Sequence, residues 1–362
     1  MKITVSAVFD LPDLAASWME LEKRADAGFF LSWRWIGSWL RATGANPLLV
    51  KAVEGDQIAA LALLVPSRRR SLFSSARQLC LHETGRPECD AVMIEHNHLL
   101  LARQAPQGLV ADILRQLQGA DPGWDELVLG GVSPQLMTEV RAAGLAVVVD
   151  RLSPVFGVEL HQAQTQEQWE SALSSNQRAQ LRQSRNFAER IGPLTLRAAG
   201  DAQALEFFEK LTALHSAYWQ SRGKPGAFAT PFARAFHREI ITSQTGPGRV
   251  ELLELSAGEQ VLGYLYNFEY GDRTYSYQSG FAYGDDNRHR PGLLAHALAI
   301  ERARSRGMRV YDFLAGDAPY KARLGRELGQ MVWCRGQRNR TLLRFERAAH
   351  ALYDRFRSAR SP

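Results

Sequence analysis

The chain has 362 residues, 45% of them hydrophobic and 23% charged. That argues against disorder and supplies enough apolar surface for two cores rather than one. The formal charge of +6 suits a phosphorylated ligand, nucleic acid or an acidic membrane face, but it also serves plain solubility and so selects none of them. No run of about 18 apolar residues is present, which argues against a membrane span.

Taken in chain order, the pattern of apolar residues predicts a strand at 2–9, a helix from Pro12 to about 26, and a helix at 33–43 between Ser32 and Gly44. Strands at 47–54 and 57–65 are joined by Glu54-Gly55-Asp56, a hairpin signal. Less regular strands are expected near 76–82 and 90–95. A helix follows Pro106, then a strand at 125–130, a helix at 134–143 and a strand at 145–151. The tryptophans of 33–43 (Trp33, Trp35, Trp39) read as core anchors.

The second half begins with a helix at 166–191, followed by helices at 202–221 and 230–243. Strands at 249–256, 260–270 and 273–281 come next, with tight turns at Ala257-Gly258-Glu259 and Gly271-Asp272. Then follow a helix at 292–306 closed by Gly307, a strand at 308–314, a short helix, a strand at 330–335 and a closing helix at 340–357. The two halves share this order and also residues. LLVKAVEGDQIAALALLV resembles VELLELSAGEQVLGYLYNF, and WDELVLGGV stands where MRVYDFLAG stands. A duplicated α/β domain is therefore expected, 1–153 and 154–362, with the seam near Ser153-Pro154.

The chemistry is expected in the second copy. Pro291 and Gly292 stand at a helix start, with Leu293 next and Arg288, His289 and Arg290 before them. Free helix amides, a glycine and flanking arginines make an anion site fit for a pyrophosphate. The plain alternative is an ordinary Pro-Gly helix start with solvated arginines. Asp312, Tyr320 and Lys321 lie at and after the end of a strand, where functional groups of open sheets meet ligands. Asp312 is a candidate base, Tyr320 a candidate proton donor to a leaving thiolate, and Lys321 a candidate for holding a phosphate or carboxylate or offsetting charge. An Asp–Lys ion pair tying strand to loop is the alternative. His215 reads either as a general base or as a structural histidine. Arg178, Arg182 and Arg185 share a helix face that can grip a phosphorylated acceptor or tRNA, or simply meet solvent.

The stretches LHSAYWQSRGKPGAF, GEQVLGYLYNFEYGDRTYSYQSGFA, RPGLL and YDFLAGDAPYK together resemble the GNAT-type acetyltransferase group around cellulose and exopolysaccharide biosynthesis, the CelD-like proteins. That group is related to the Fem-type peptidoglycan aminoacyltransferases. The resemblance covers roughly 165–325. It implies a mixed, curved sheet whose fourth and fifth strands splay apart around acyl-CoA, with the pyrophosphate on Arg288 to Leu293 and Tyr320 as general acid. The usual loop has Arg or Gln three residues before its first glycine; here Arg288 is four before Gly292. The N-terminal copy keeps only Arg103 and Gly108 of that loop and is expected to be a scaffold.

The leading expectation is a cytoplasmic acyltransferase, without metal, that moves an acyl group from acyl-CoA to a small-molecule or glycan acceptor. Aminoacyl transfer from tRNA is one rival. A non-catalytic ligand-binding module is another. Cys80, Cys89 and Cys334 are an odd number without metal spacing and fit buried thiols in a reducing compartment. The closing helix reads as basic and amphipathic, packed on its own domain or set against an acidic membrane face.

Overall fold

Two units make up the chain: Met1–Leu152 joined by the segment from Met331 on, and Ser153–Gln330. The computed structural model describes residues 1–70, 75–121, 123–160, 165–341 and 343–347.

The first unit runs β1 (Lys2–Ser6), α1 (Leu11–Lys23), α2 (Trp33–Thr43), β2 (Leu48–Glu54), β3 (Gln57–Arg70), β4 (Ser75–Leu81), α3 (Pro87–Asp90), β5 (Leu100–Leu101), α4 (Leu109–Ala120), β6 (Glu126–Val132), α5 (Pro134–Ala142) and β7 (Ala146–Glu159). Its caps follow the sequence. The Ser32 hydroxyl accepts the Trp35 N–H and opens α2, and Gly44 closes it in the left-handed conformation at φ 57°. Trp18, Trp35 and Trp39 are buried as core anchors. The residues expected to form a strand at 90–95 instead form the end of α3 and an irregular segment.

The second unit continues with α6 (Gln166–Ala172), α7 (Ser175–Glu189), β8 (Leu194–Ala198), α8 (Asp201–Gln220), α9 (Pro231–Thr242), β9 (Arg249–Ala257), β10 (Gln260–Tyr270), β11 (Arg273–Phe281), α10 (Pro291–Ser305), β12 (Val310–Ala315), α11 (Pro319–Leu324) and β13 (Arg326–Gln337). The expected single helix at 166–191 is two. Thr165 with Gln168 and Ser174 with Gln177 each form a reciprocal capping box, so a second helix starts at Ser175. Strand β8, absent from the sequence reading, pairs with β9.

Each unit places one short parallel ladder at the centre of its sheet. In the first, the order is β1-β2-β3-β4-β6-β13, and β4 meets β6 through three pairs, Gln78–Cys80 against Glu126–Val128. In the second, the order is β7-β12-β11-β10-β9-β8, and β11 meets β12 through three pairs, Arg273–Tyr275 against Val310–Asp312. Beyond those pairs the strands separate, the splay expected between fourth and fifth strands. Antiparallel pairing covers the other side: Val332–Gln337 of β13 lie on β6, and Val155–Glu159 of β7 lie on β12.

This exchange changes the simple division of the chain. The boundary expected at 153/154 falls inside β7, and the chain from Met331 returns to the first unit rather than staying with the second. The reason is backbone pairing, because β13 satisfies the groups on β6 that would otherwise form a bare edge. Of the closing helix expected at 340–357, residues 343–347 are helical, and Glu346 pairs with Arg69 at 2.8 Å. Its remainder, on which the membrane-facing reading rests, lies outside the described residues.

The core of the second unit explains where its site lies. Small residues of α10 (Ala295, Ala297, Ala299, Ala303) let the helix sit close on the sheet beside Leu253, Leu265 and Phe313. Arg302 and Arg306 at its far end hold the buried Glu251 and Glu269 at 2.8 and 2.9 Å. The amino-terminal end of α10 is thereby fixed at the opening between β11 and β12.

Candidate functional site

Helix α8 closes one side of the opening. A Cβ on Gly280 of β11 would lie 2.4 Å from the Leu211 carbonyl oxygen, so only glycine lets helix and strand approach this closely. His215 reinforces the contact. The Ala227 N–H donates to its Nε2 at 3.0 Å, which makes Nδ1 the protonated nitrogen, donating to the Ser279 carbonyl at 2.9 Å. Burial lowers its pKa. Both ring nitrogens are committed, so His215 ties α8, β11 and the 227 loop together instead of presenting a free base.

Asp312 and Lys321 shape the end of β12. Asp312 is fully buried; its Oδ2 accepts from Arg273 at 2.7 Å and its Oδ1 from the Leu314 N–H at 2.7 Å. The second bond holds Leu314 in the left-handed region at φ 62°, where the ladder with β7 shifts register. The Lys321 ammonium donates to the carbonyls of Leu314 and Ala315 at 3.2 and 2.5 Å. The Asp312 carboxylate thus ties two strands and supports a bulge, and Lys321 fastens that bulge to α11. Both are placed as builders of the wall, in contrast to the base and anion-holding roles the sequence suggests.

Tyr320, Lys321's neighbour on α11, faces the other way into a cavity of about 400 Å³. Ser279, Phe281 and Tyr283 line it from the end of β11, and Gly292, Leu293 and His296 from α10. His289 and Arg290 complete it, so five residues marked in the sequence converge here. His296 was not marked, although it lies one turn after Gly292 and therefore on the same helix face. Its ring stacks on Tyr320 at 5.1 Å and an interplanar angle of 9°, and its Nδ1 lies 3.2 Å from the Tyr311 hydroxyl. Burial pushes the His296 pKa down to about 3, helped by the Lys321 charge, so the ring is neutral near pH 7. Burial raises the Tyr320 pKa, with Tyr283 and Tyr218 adding to it. Its phenol therefore keeps its proton.

The start of α10 suits an anion. No side chain caps it, and Leu294 is the first residue whose amide returns to a carbonyl, that of Arg290. A Cβ on Gly292 would stand 3.1 Å from the Phe281 ring, at the cavity wall. Two buried polar atoms here, Nη1 of Arg290 and Nε2 of His289, have no hydrogen-bond partner among the described residues. An orphaned guanidinium donor beside free amides fits a phosphate-bearing group. Arg288 instead grips Asp286, whose carboxyl it pulls down to about 2.

The arginines of α7 do not act as one face. Arg178 donates to the carbonyls of Ser171 and Leu173, and Arg185 pairs with Glu170 at 2.9 Å. Both bind α7 back to α6. Arg182 instead lines a groove of about 500 Å³ with Arg190, Arg288 and Arg290. Ser184 docks α7 here, its hydroxyl donating to the Arg290 carbonyl and accepting the Arg290 N–H at 3.2 and 3.3 Å.

The corresponding opening in the first unit is bridged by side chains. The Asn97 side-chain amide donates to the carbonyls of Leu81 and Gly130 at 2.9 and 3.1 Å, bridging the diverging ends of β4 and β6. Its oxygen faces His82 Nδ1 at 2.9 Å, and His82 Nε2 accepts the Leu63 N–H at 3.2 Å. Arg103, one of the two loop residues kept in this copy, is tied to Asp26 at 2.7 Å. Gly108, the other, starts α4 at φ 83° beside a separate cavity of about 470 Å³.

Residues 175–322 match the family described as an acetyltransferase (GNAT) domain. No curated protein sequence matches the chain. Among solved structures, the chain is similar to the C-terminal domain of a putative lysylphosphatidylglycerol synthetase from Agrobacterium fabrum. The TM-score is 0.54 at 12% identity, over 96% of both chains. It is also similar to FemX, with a TM-score of 0.55 at 10% identity over 92% of this chain and 97% of that one. L-PGS from Bacillus licheniformis gives 0.51 at 13% identity over 85% and 92%. At such identities the likeness is one of fold. The architecture is a mixed α/β sheet, and the stretch that matches the GNAT acetyltransferase domain lies in the second unit.

Proposed function

We propose that the second unit moves an acyl group from acyl-CoA to an amine or hydroxyl of a small molecule, sugar or polysaccharide precursor. The observation that carries this reading is a single cavity holding both the uncapped start of α10 and the Tyr320 phenol. The amides of Gly292 and Leu293, with Arg290 and His289, would hold the pyrophosphate. The thioester is the activated carbonyl that the donor brings. The acceptor attacks the carbonyl carbon, the carbon–sulfur bond breaks, and the proton the acceptor loses passes through solvent to the departing thiolate. Tyr320, protonated near neutral pH, donates a hydrogen bond to the sulfur as it gains charge. His296 sets the plane of the Tyr320 ring. Asp312, Lys321 and His215 build the walls. The setting is a reducing cytoplasm, a reading supported by three buried free thiols. Calorimetric titration with acetyl-CoA, joined to an assay of thiol release with amine acceptors, tests the proposal. Micromolar binding weakened by Arg290→Ala is expected; no binding by folded protein would overturn it.

Aminoacyl transfer from tRNA is the second reading. The near full-length likeness to FemX and to the synthetase domain favours it, as does the arginine groove. Charged tRNA that binds with steep salt dependence while acetyl-CoA does not bind would establish it.

A further inference from the structure

We infer that the groove along α7 seats the phosphorylated nucleoside end of the donor, with Arg182 and Arg190 on the 3′-phosphate of coenzyme A. The inference rests on the acyl-CoA reading. Every charged residue lining the groove is an arginine: Arg182, Arg190, Arg288 and Arg290. Arg290 also lines the reaction cavity, so a donor with its pyrophosphate at the start of α10 has its acyl end on one side of Arg290 and its nucleoside on the other. Arg288 is already held by Asp286, which leaves Arg182, Arg190 and Arg290 for a polyanion. Coenzyme A carries about four negative charges, about two of them on a phosphomonoester. Among the described residues, Arg182 and Arg190 have no ion-pair partner, whereas Arg178 and Arg185 on the same helix are tied to α6. They stand eight residues apart, about 12 Å along the helix, on the exposed face of α7 that lines the groove, while Ser184 on the buried side docks the helix against Arg290. The amides of Gln183 and Asn186 lie in the same groove and offer neutral donors and acceptors to a base.

The test titrates acetyl-CoA, acetyl-3′-dephospho-CoA and adenosine 3′,5′-bisphosphate into the full chain and into Arg182→Gln/Arg190→Gln. Arg141→Gln serves as a surface-charge control, and melting curves verify folding. The wild-type chain is expected to bind acetyl-CoA about tenfold more tightly than the dephospho form, the worth of a charge-assisted contact. The double variant is expected to lose that discrimination while still binding the dephospho thioester as wild type does. Equal binding of the two thioesters by the wild-type chain would overturn the subsite and leave the donor reading standing. Discrimination that persists in the double variant would overturn the assignment of these two arginines. Failure of all three ligands to bind folded protein would overturn the donor reading and the subsite together.

Discussion

The two units carry the same opening and treat it in opposite ways. In each, a three-pair parallel ladder ends and the strands part. The bond after each first strand also matches: His82 N–H donates to Leu63 O, and Ala282 N–H donates to Leu262 O, both at 3.0 Å. The divergence starts with the side chain at that position. His82 turns inward and is buried, with a pKa pushed down to about 4 by burial, and Asn97 meets it across the gap. Ala282 has no such group, and the short loop 283–290 leads straight to α10. The first unit spends residues 83–108 on the same path. Longer chain and a polar plug bridge the strands in one unit, while a short loop leaves the other open.

Breaking the plug is the strongest way to test this contrast. Asn97→Ala leaves two buried carbonyls and the His82 N–H without their partner, at about 1 kcal/mol or more each. A loss near 3 kcal/mol in unfolding free energy is expected, with acetyl-CoA affinity unchanged. Denaturant titration beside calorimetry checks both halves, and a fall in affinity would show that the first opening shares in binding.

In the open copy, Tyr320→Phe removes the proposed donor to sulfur. Transfer at saturating donor, followed by thiol release, is expected to drop about 100-fold. Donor affinity and melting temperature should hold. An unchanged rate would remove Tyr320 from the chemistry of the transfer.

Gly292→Val places a branched side chain against the Phe281 ring, where even a Cβ would stand 3.1 Å away. Donor binding is expected to weaken about tenfold, read by titration. The matching change, Gly108→Val, falls at φ 83° and should instead cost stability through backbone strain of about 1 kcal/mol.

The smallest effect concerns pH. Burial, with the charge of Asp90, pushes the Glu83 carboxyl up to about 8. The fold therefore favours its protonated form. That stabilisation is complete below the unfolded value near 4.3 and is lost as pH rises through about 8. Melting followed by tryptophan fluorescence, which comes mainly from the first unit, should shift down by a few degrees between pH 5 and 8. Glu83→Gln should flatten that shift, and an identical slope in the variant would assign it to another group.

Much of this architecture was legible in the residues. Ser32 and Gly44 mark both ends of a helix, and Glu54-Gly55-Asp56 fixes a hairpin register, because capping and turn chemistry are local. The break between α6 and α7 was equally local but was hidden inside a continuous polar pattern. Gly292, His289, Arg290 and Tyr320 line one cavity, as their places at a helix start and after a strand end suggest. His296 was passed over because a histidine among alanines carries no signal until its ring is seen against Tyr320.

The sequence by itself determined most helix caps, the hairpin turns and the Pro-Gly start of α10, since each depends on neighbours within a few residues. Only the tertiary structure decided which polar groups remain at liberty. Asp312, Lys321 and His215 look like chemistry in the chain, yet they are held by Arg273, by the carbonyls of Leu314 and Ala315, and by Ser279 and Ala227. Most of those partners are distant in sequence, brought close by strand pairing and helix docking. The exchange of β7 and β13 was likewise invisible, because nothing local in a strand records which edge it will cover.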